Sequence, residues 1–441
     1  MKSNKITLVV VCLLAVTFSI IFSSCKKVGP DAIEPEIYPS EIVQAWINFD
    51  LRLLRANPAI LNNFIMVQHW GYSSIALYEA TLADNTGYQT LSGQLDQMPS
   101  MPAKTQGLSY HYPAIANAVM AAMKRYYYSN IPAADKTSTD SLEAAFNTKY
   151  QTEVDAETFQ RSVDYGKAIA QIIIDWSKTD GSLSVNPPYV LPVGPGQYEK
   201  TPTAFAAPQN PYWANNRPLV AGIVAATELP PPPAYSTDPS SSFYKMAKEV
   251  YDMSQALTVA QKEQITFWRD VPGGGHAHWL AIFSQVLSKE GNAAMFDKAV
   301  LVYAKMGISQ SDARISCWKA KYTHNLLRPV TYIRAVLGQP NWSPFIATPN
   351  HPEYPAAHGT FSAAAAEVLS KEFGSNYSFT DRTYEFIPLP ARNYTSFNDA
   401  AKDAGESRVA GGLHCWPAII AGNTQGRAVA KYMDDKIKFK K

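Results

Sequence analysis

Between Ser40 and Phe439 the apolar residues recur at intervals of three and four in one segment after another, and no stretch alternates convincingly between apolar and polar. A chain with the helical period must bury its stripes helix against helix, so the expected class is all-α, a helical bundle. Ser40 stands where it can cap EIVQAWINFDLRLLRAN, and Pro58 where it can open AILNNFIMVQHWGYSSIALYEATLA. Further helices are expected over Tyr112 to Tyr128, Pro132 to Tyr150, Ala156 to Lys178, Ser241 to Met253 and Thr258 to Trp268, the last with capping-box spacing at Thr258 and Gln261. The pattern continues over Asn292 to Gly307, Ser309 to Leu327, Ala356 to Phe373, Asp399 to Gly411 and Ala418 to Phe439. A chain of 441 residues exceeds the usual single-core size, so two domains or one large helical domain are expected. The natural division is a helical half over 40–240 and a second over 241–441.

The period fails between Asp180 and Ser242, where proline and glycine accumulate in GPGQYEKTPTAF, NPYWANNRP and Pro230 to Pro233. A loop of this length serves as a lid, a binding loop, a surface wrap or a domain linker. Its aromatics, Tyr198, Phe205, Tyr212 and Trp213, argue that it packs onto the rest of the chain. His69 and Trp70 lie inside a helical pattern and read as core. In RDVPGGGHAHW, His276 and His278 have metal-ligand chemistry, but two alternate residues without a nearby Cys or carboxylate make a poor zinc site.

Lys2 and Lys5 precede the apolar run Ile6 to Phe22, which ends in Phe22-Ser23-Ser24-Cys25. This resembles a bacterial lipoprotein signal over 1–24. It implies cleavage before Cys25, lipidation of that thiol, and a protein held on a bacterial membrane, periplasmic or outer-membrane associated, by the polar tether 25–39. The 39 basic residues less Lys2 and Lys5 equal the 37 acidic ones, a balance that gives no general attraction to nucleic acid or anionic lipid. With Cys12 and Cys25 in the signal, only Cys317 and Cys415 remain for the fold, as a bridge or as two buried thiols.

Three blocks carry chemistry. In SDARISCWKAKYTHNLLRPVTYIR, Lys321 and Arg328 are two helical turns apart, so one helix closed by Pro329 is expected to present both on one face. Two cations on one stripe repel, and an anion between them resolves the conflict. In NHPEYPAAHGTFSAAAAEVLSKEFG, a proline-punctuated loop brings His358 to the first turn of a helix stopped by Gly374. Free N–H groups and roughly half a positive charge make that end an anion site. In GESRVAGGLHCW, Arg408 precedes His414 across Gly411-Gly412, a break that lets both side chains aim at one point.

In this order the blocks resemble the signature of the vanadium-dependent haloperoxidases and the related type 2 phosphatidic acid phosphatases, over about Phe243 to Arg427. The resemblance implies a helical bundle of that type. Lys321, Arg328, Arg408 and the backbone N–H of Ala357 would bind the oxygens of vanadate, or of phosphate in the same site. His414 would be the metal ligand in a peroxidase or the nucleophile in a phosphatase. His358 would be the general acid and base, and Lys321 would polarise one oxygen. His351 and Trp318 fall where haloperoxidases border the halide and peroxide side, so the resemblance leans toward hydrogen peroxide and halide as substrates over a phosphate ester; a homodimer is left open. Relatives usually have Ser-Gly where this chain has Ala356-Ala357. Many also have an aspartate at the place of Ala418, so the carboxylate that orients His414 must come from elsewhere or be absent. A non-catalytic glycan- or phosphate-binding lipoprotein is the reading from another class, drawn from 25 Tyr and 9 Trp, and it leaves the three cations unexplained.

Overall fold

The computed structural model describes residues 38–441 apart from positions 62, 270–276 and 292–294. The signal-like segment, Cys25 and nearly all of the tether lie outside the described residues, as does His276. No helix among the described residues is long and apolar enough to cross a membrane.

The first half supplies α1 (Glu41–Ala56), α2 (Asn63–Thr81), α3 (Tyr112–Tyr127), α4 (Ala133–Tyr150) and α5 (Ala156–Ser177). Then comes the long loop, irregular except for a 3-10 turn at Trp213–Asn215 and the single turn α6 (Ile223–Ala226). The second half contains α7 (Ser242–Ser254), α8 (Val259–Phe267), α9 (His278–Glu290), α10 (Phe296–His324), α11 (Pro329–Ala335), α12 (Ala357–Phe373), α13 (Phe397–Ala410) and α14 (Trp416–Lys436). A short antiparallel hairpin, β1 (Phe379–Asp381) with β2 (Arg392–Tyr394), pairs Phe379 with Tyr394. The all-α class is therefore the observed one.

Beyond α11 and the hairpin, which were not expected, three elements depart from expectation. α2 starts at Asn63, because Pro58 sits in a tight turn in which Ile60 and Leu61 donate to the Asn57 carbonyl. α9 was not foreseen, although Trp279, Phe283, Val286 and Leu287 carry its period; the glycine run ahead of it obscures the start. α10 is one continuous helix where two were expected. Gly307 does not break it, because the missing side chain is what lets α2 approach: a Cβ there would lie 2.1 Å from Ser74 Oγ. Gly71 does the same from the other helix, its Cβ meeting Ser311 Oγ at 2.4 Å.

The same device brings α12 onto α14. A Cβ on Gly422 would stand 2.5 Å from the Ala356 carbonyl, and one on Gly426 2.0 Å from that of Thr360. The Ala356 N–H donates to the Ala418 carbonyl at 2.9 Å, which ties the two helix starts together. Gln310 on α10 reaches the Phe361 carbonyl, and Gln425 on α14 reaches that of Ser316, so three helices converge. Gly426→Ala would gain roughly 1 kcal/mol of helix propensity. The obstacle is backbone and cannot rotate aside, so overpacking of about 1–3 kcal/mol wins. A lowered melting temperature is expected by calorimetry; an unchanged one would mean that this crossing is loose.

The long loop is a wrap. Tyr198 N–H donates to the Asn325 carbonyl at 2.7 Å and Leu327 N–H to that of Gly196 at 3.0 Å. The carboxylate of Asp312 accepts from the backbone of Leu219 and Val220, and Gln209 N–H donates to the Asn350 carbonyl. The loop is thus strapped to the end of α10 and to the segment carrying the middle block.

Candidate active site

α10 ends at His324 because Asn325 takes a left-handed conformation, φ 44°, and caps back to the Lys321 carbonyl. Arg328 is extended, as a residue before proline must be, and Pro329 opens α11. The expectation of one helix presenting Lys321 and Arg328 on a common face is corrected here: the two stand on either side of a turn. That turn still points both inward, and each is 0% exposed.

Lys321 Nζ donates to the carbonyls of Pro352, at 2.8 Å, and of Glu353 and Pro355. It therefore props the loop that leads into α12. Arg328 spends its guanidinium on two segments: Nε donates to the His351 carbonyl at 2.7 Å, one terminal nitrogen to the Leu413 carbonyl at 3.0 Å, and the other lies 2.9 Å from His351 Nδ1. The nitrogen that reaches Leu413 is also 3.1 Å from His414 Nε2.

Arg408 occupies the last turn of α13, 3% exposed, and donates to the Trp268 carbonyl at 2.8 Å. Beyond it Gly412 has φ 82°, and the N–H groups of Leu413 and His414 turn back onto the Arg408 carbonyl. The Gly-Gly break is thus a set turn, and it delivers His414 just before α14. His358, the second residue of α12, is half-buried at the helix start, and Ala357 is its first residue, whose N–H has no acceptor within the helix.

The carboxylate without a counterpart at Ala418 comes from Glu353. Its Oε1 accepts from Cys415 N–H at 2.8 Å and lies 3.2 Å from His414 Nδ1. With Arg328 donating toward Nε2, the consistent arrangement of His414 is Nδ1–H toward Glu353 and a lone pair on Nε2 facing the cations. Nothing in the spacing of the three blocks singled Glu353 out. A second missed group supports Arg408: the Trp268 ring stacks on His278 at 4.2 Å, its Nε1 donates to Asp403 at 2.7 Å, and His278 Nε2 is 2.6 Å from the buried Asp381. His278, weighed above as a metal ligand, instead has that nitrogen committed to a carboxylate.

Trp318 is buried, donates to the Gln209 carbonyl at 3.2 Å, and lies with its ring 5.0 Å from that of His351. Cys317 and Cys415 are both free and buried, so no bridge forms between them.

Burial sets the electrostatics. It pulls the Lys321 ammonium down and pushes the Glu353 carboxyl up, while their mutual attraction opposes both. Burial also lowers Arg328 to about 10, with Arg408 adding to the effect. His414 is held well below the usual histidine range by burial and then by Arg328, Lys321, His351 and Arg408, so it is a neutral imidazole. Among the described residues, Lys321, Arg328 and Arg408 are buried cations of the three blocks, and Glu353 is the buried carboxylate whose charge acts on Lys321 and Arg328. A tetrahedral oxyanion suits such a cluster of buried cations, and the neutral His414 Nε2, which accepts from Arg328 here, is a competent ligand for a metal centre that takes the place of that bond. The donor set therefore fits vanadate.

A helical protein in which buried cations surround a neutral histidine is the class so defined. The family model of the VCPO second helical-bundle domain matches residues 301–439, which hold all three blocks. Among solved structures, a bacterial vanadium-dependent iodoperoxidase is 30% identical, with 92% of this chain and 98% of that one covered and a TM-score of 0.81. Holo-type and apo-type bacterial vanadium-dependent chloroperoxidases share the fold at 15% and 14% identity, with TM-scores of 0.63 and 0.64; each alignment covers 86% of this chain, and 93% and 96% of theirs. Comparison with curated proteins gives no match. The chain belongs to the vanadium haloperoxidase superfamily and is a haloperoxidase-like enzyme.

Proposed function

We propose that this enzyme holds vanadate among Lys321, Arg328 and Arg408 and uses hydrogen peroxide to oxidise halide, iodide foremost. The observation that carries the reading is the buried Arg328 guanidinium 3.1 Å from Nε2 of a His414 that burial and the neighbouring cations keep neutral. The 30% identical iodoperoxidase supports the choice of halide. Bound vanadate would supply a Lewis acid that activates peroxide.

The chain's own part is to bind and to move protons. Arg328 and Arg408 hold oxyanion oxygens, with the Ala357 N–H as a further donor, and Lys321 withdraws charge from one oxygen. His414 Nε2 is the ligand, kept neutral and aimed by Glu353. His358 takes and returns protons at the start of α12, and His351 and Trp318 wall the halide side. The reading also includes a lipid anchor on Cys25, supported by the sequence Phe22-Ser23-Ser24-Cys25.

Vanadate-loaded protein is expected to form triiodide from iodide and peroxide, with His414→Ala inactive, and to leave p-nitrophenyl phosphate intact when vanadate is withheld. Phosphate-ester turnover that vanadate inhibits, without iodide oxidation, would overturn the reading in favour of an acid phosphatase.

A further inference from the structure

Where the long loop passes over α2 it leaves a cleft of about 510 Å³. Phe64, Tyr189, Tyr212 and Trp213 give it aromatic walls, and Asn210 and Asn216 add amides. No charged side chain is among the described residues that line it. The Asn210 and Asn216 side-chain NH₂ groups and the Trp213 Nε1–H are buried without a hydrogen-bond partner. Three residues that line this one aromatic cleft thus carry unsatisfied donor nitrogens, Asn216 lining a neighbouring cavity as well, and such donors ask for an oxygen acceptor; the lack of cations disfavours a carboxylate or phosphate as its bearer. Asn210 also holds a left-handed backbone, φ 48°, a conformation that asparagine tolerates better than most residues.

The cleft adjoins the site. The Phe64 ring meets Trp213 at 5.1 Å on one side and Trp318 at 4.2 Å on the other, and Trp318 meets His351. Gln209, between two lining residues, accepts from Trp318 Nε1 and donates to the Asn350 carbonyl.

We propose that this cleft binds a neutral phenol, its ring against the aromatic walls and its oxygen on the unpartnered N–H groups. Its role as organic acceptor rests on the haloperoxidase reading; the binding does not. In that role hypohalous acid from the site gives its halogen to a ring carbon: a C–halogen bond replaces C–H, and the ring proton leaves with the hydroxide as water.

The test is equilibrium binding of 2-naphthol, with naphthalene as the oxygen-free control, by calorimetry on the vanadate-free full chain. Trp213→Phe keeps the wall and removes one donor. Asn210→Asp keeps the backbone tolerance and turns a donor into an acceptor. Saturable naphthol binding is expected, weakened about fivefold by Trp213→Phe, the usual worth of one hydrogen bond, and more by Asn210→Asp, with naphthalene unmoved. Circular dichroism and the rate of triiodide formation without any organic acceptor should match wild type in both variants. Absent naphthol binding, or binding indifferent to both substitutions, overturns the proposal. Donor-dependent binding in a protein that forms no triiodide sinks the peroxidase reading and leaves the phenol site standing.

Discussion

Glu353→Ala is expected to be among the most damaging single changes in the chain, in stability and in vanadate binding together. The carboxylate is 2% exposed and serves both Cys415 N–H and His414 Nδ1. Its removal strands two buried donors and takes away the negative charge that acts on Lys321 and Arg328. Breaking a buried charge cluster from one side costs about 3–5 kcal/mol, and losing the partner that orients a metal-ligating histidine costs about 10–100-fold in affinity. Denaturant unfolding and vanadate titration measure the two effects separately. Glu353→Gln retains an acceptor oxygen for both N–H groups, so it should recover more of the affinity than of the charge-dependent stability. Wild-type values for the alanine variant in both experiments would remove Glu353 from the site.

The reason Glu353 was illegible in the sequence is also the reason it matters. It lies in the proline-rich run before His358, 61 residues from His414, and the two meet because the Ala356 N–H binds the Ala418 carbonyl where α12 crosses α14. Close crossings at Gly422 and Gly426 create that meeting, and a glycine inside a helical pattern announces only a lower propensity. By contrast, the class was open to reading because the period of three and four recurs along the chain. The joint spacing of Lys321, Arg328, His358, Arg408 and His414 pointed to the family that the comparisons show. The local argument for Lys321 and Arg328 failed: it assumed an unbroken helix, whereas Pro329 makes Arg328 extended and Asn325 ends α10 before it. His278 shows the complementary failure. Its partner Asp381 is 103 residues away, beyond the reach of any motif.

Glu353 and Arg328 act on His414 from opposite sides, which makes Arg328→Lys the sharper test of geometry against charge. Lysine keeps the positive charge, so a purely electrostatic role predicts little change in vanadate affinity. A guanidinium, however, reaches the His351 carbonyl, the Leu413 carbonyl and His414 Nε2 at once, from a rigid plane. An ammonium cannot reach those three groups on two segments at once. Each charge-assisted bond is worth about 1.5–3 kcal/mol, so the loss of even one predicts at least about a tenfold fall in affinity, and two about a hundredfold or more. The fall should appear in vanadate titration and, if the peroxidase reading holds, in triiodide formation at subsaturating vanadate, with less recovered at saturation the more His414 has turned. A lysine variant that binds vanadate as tightly as wild type would reduce Arg328 to a source of charge and leave the orientation of His414 to Glu353 among the described residues.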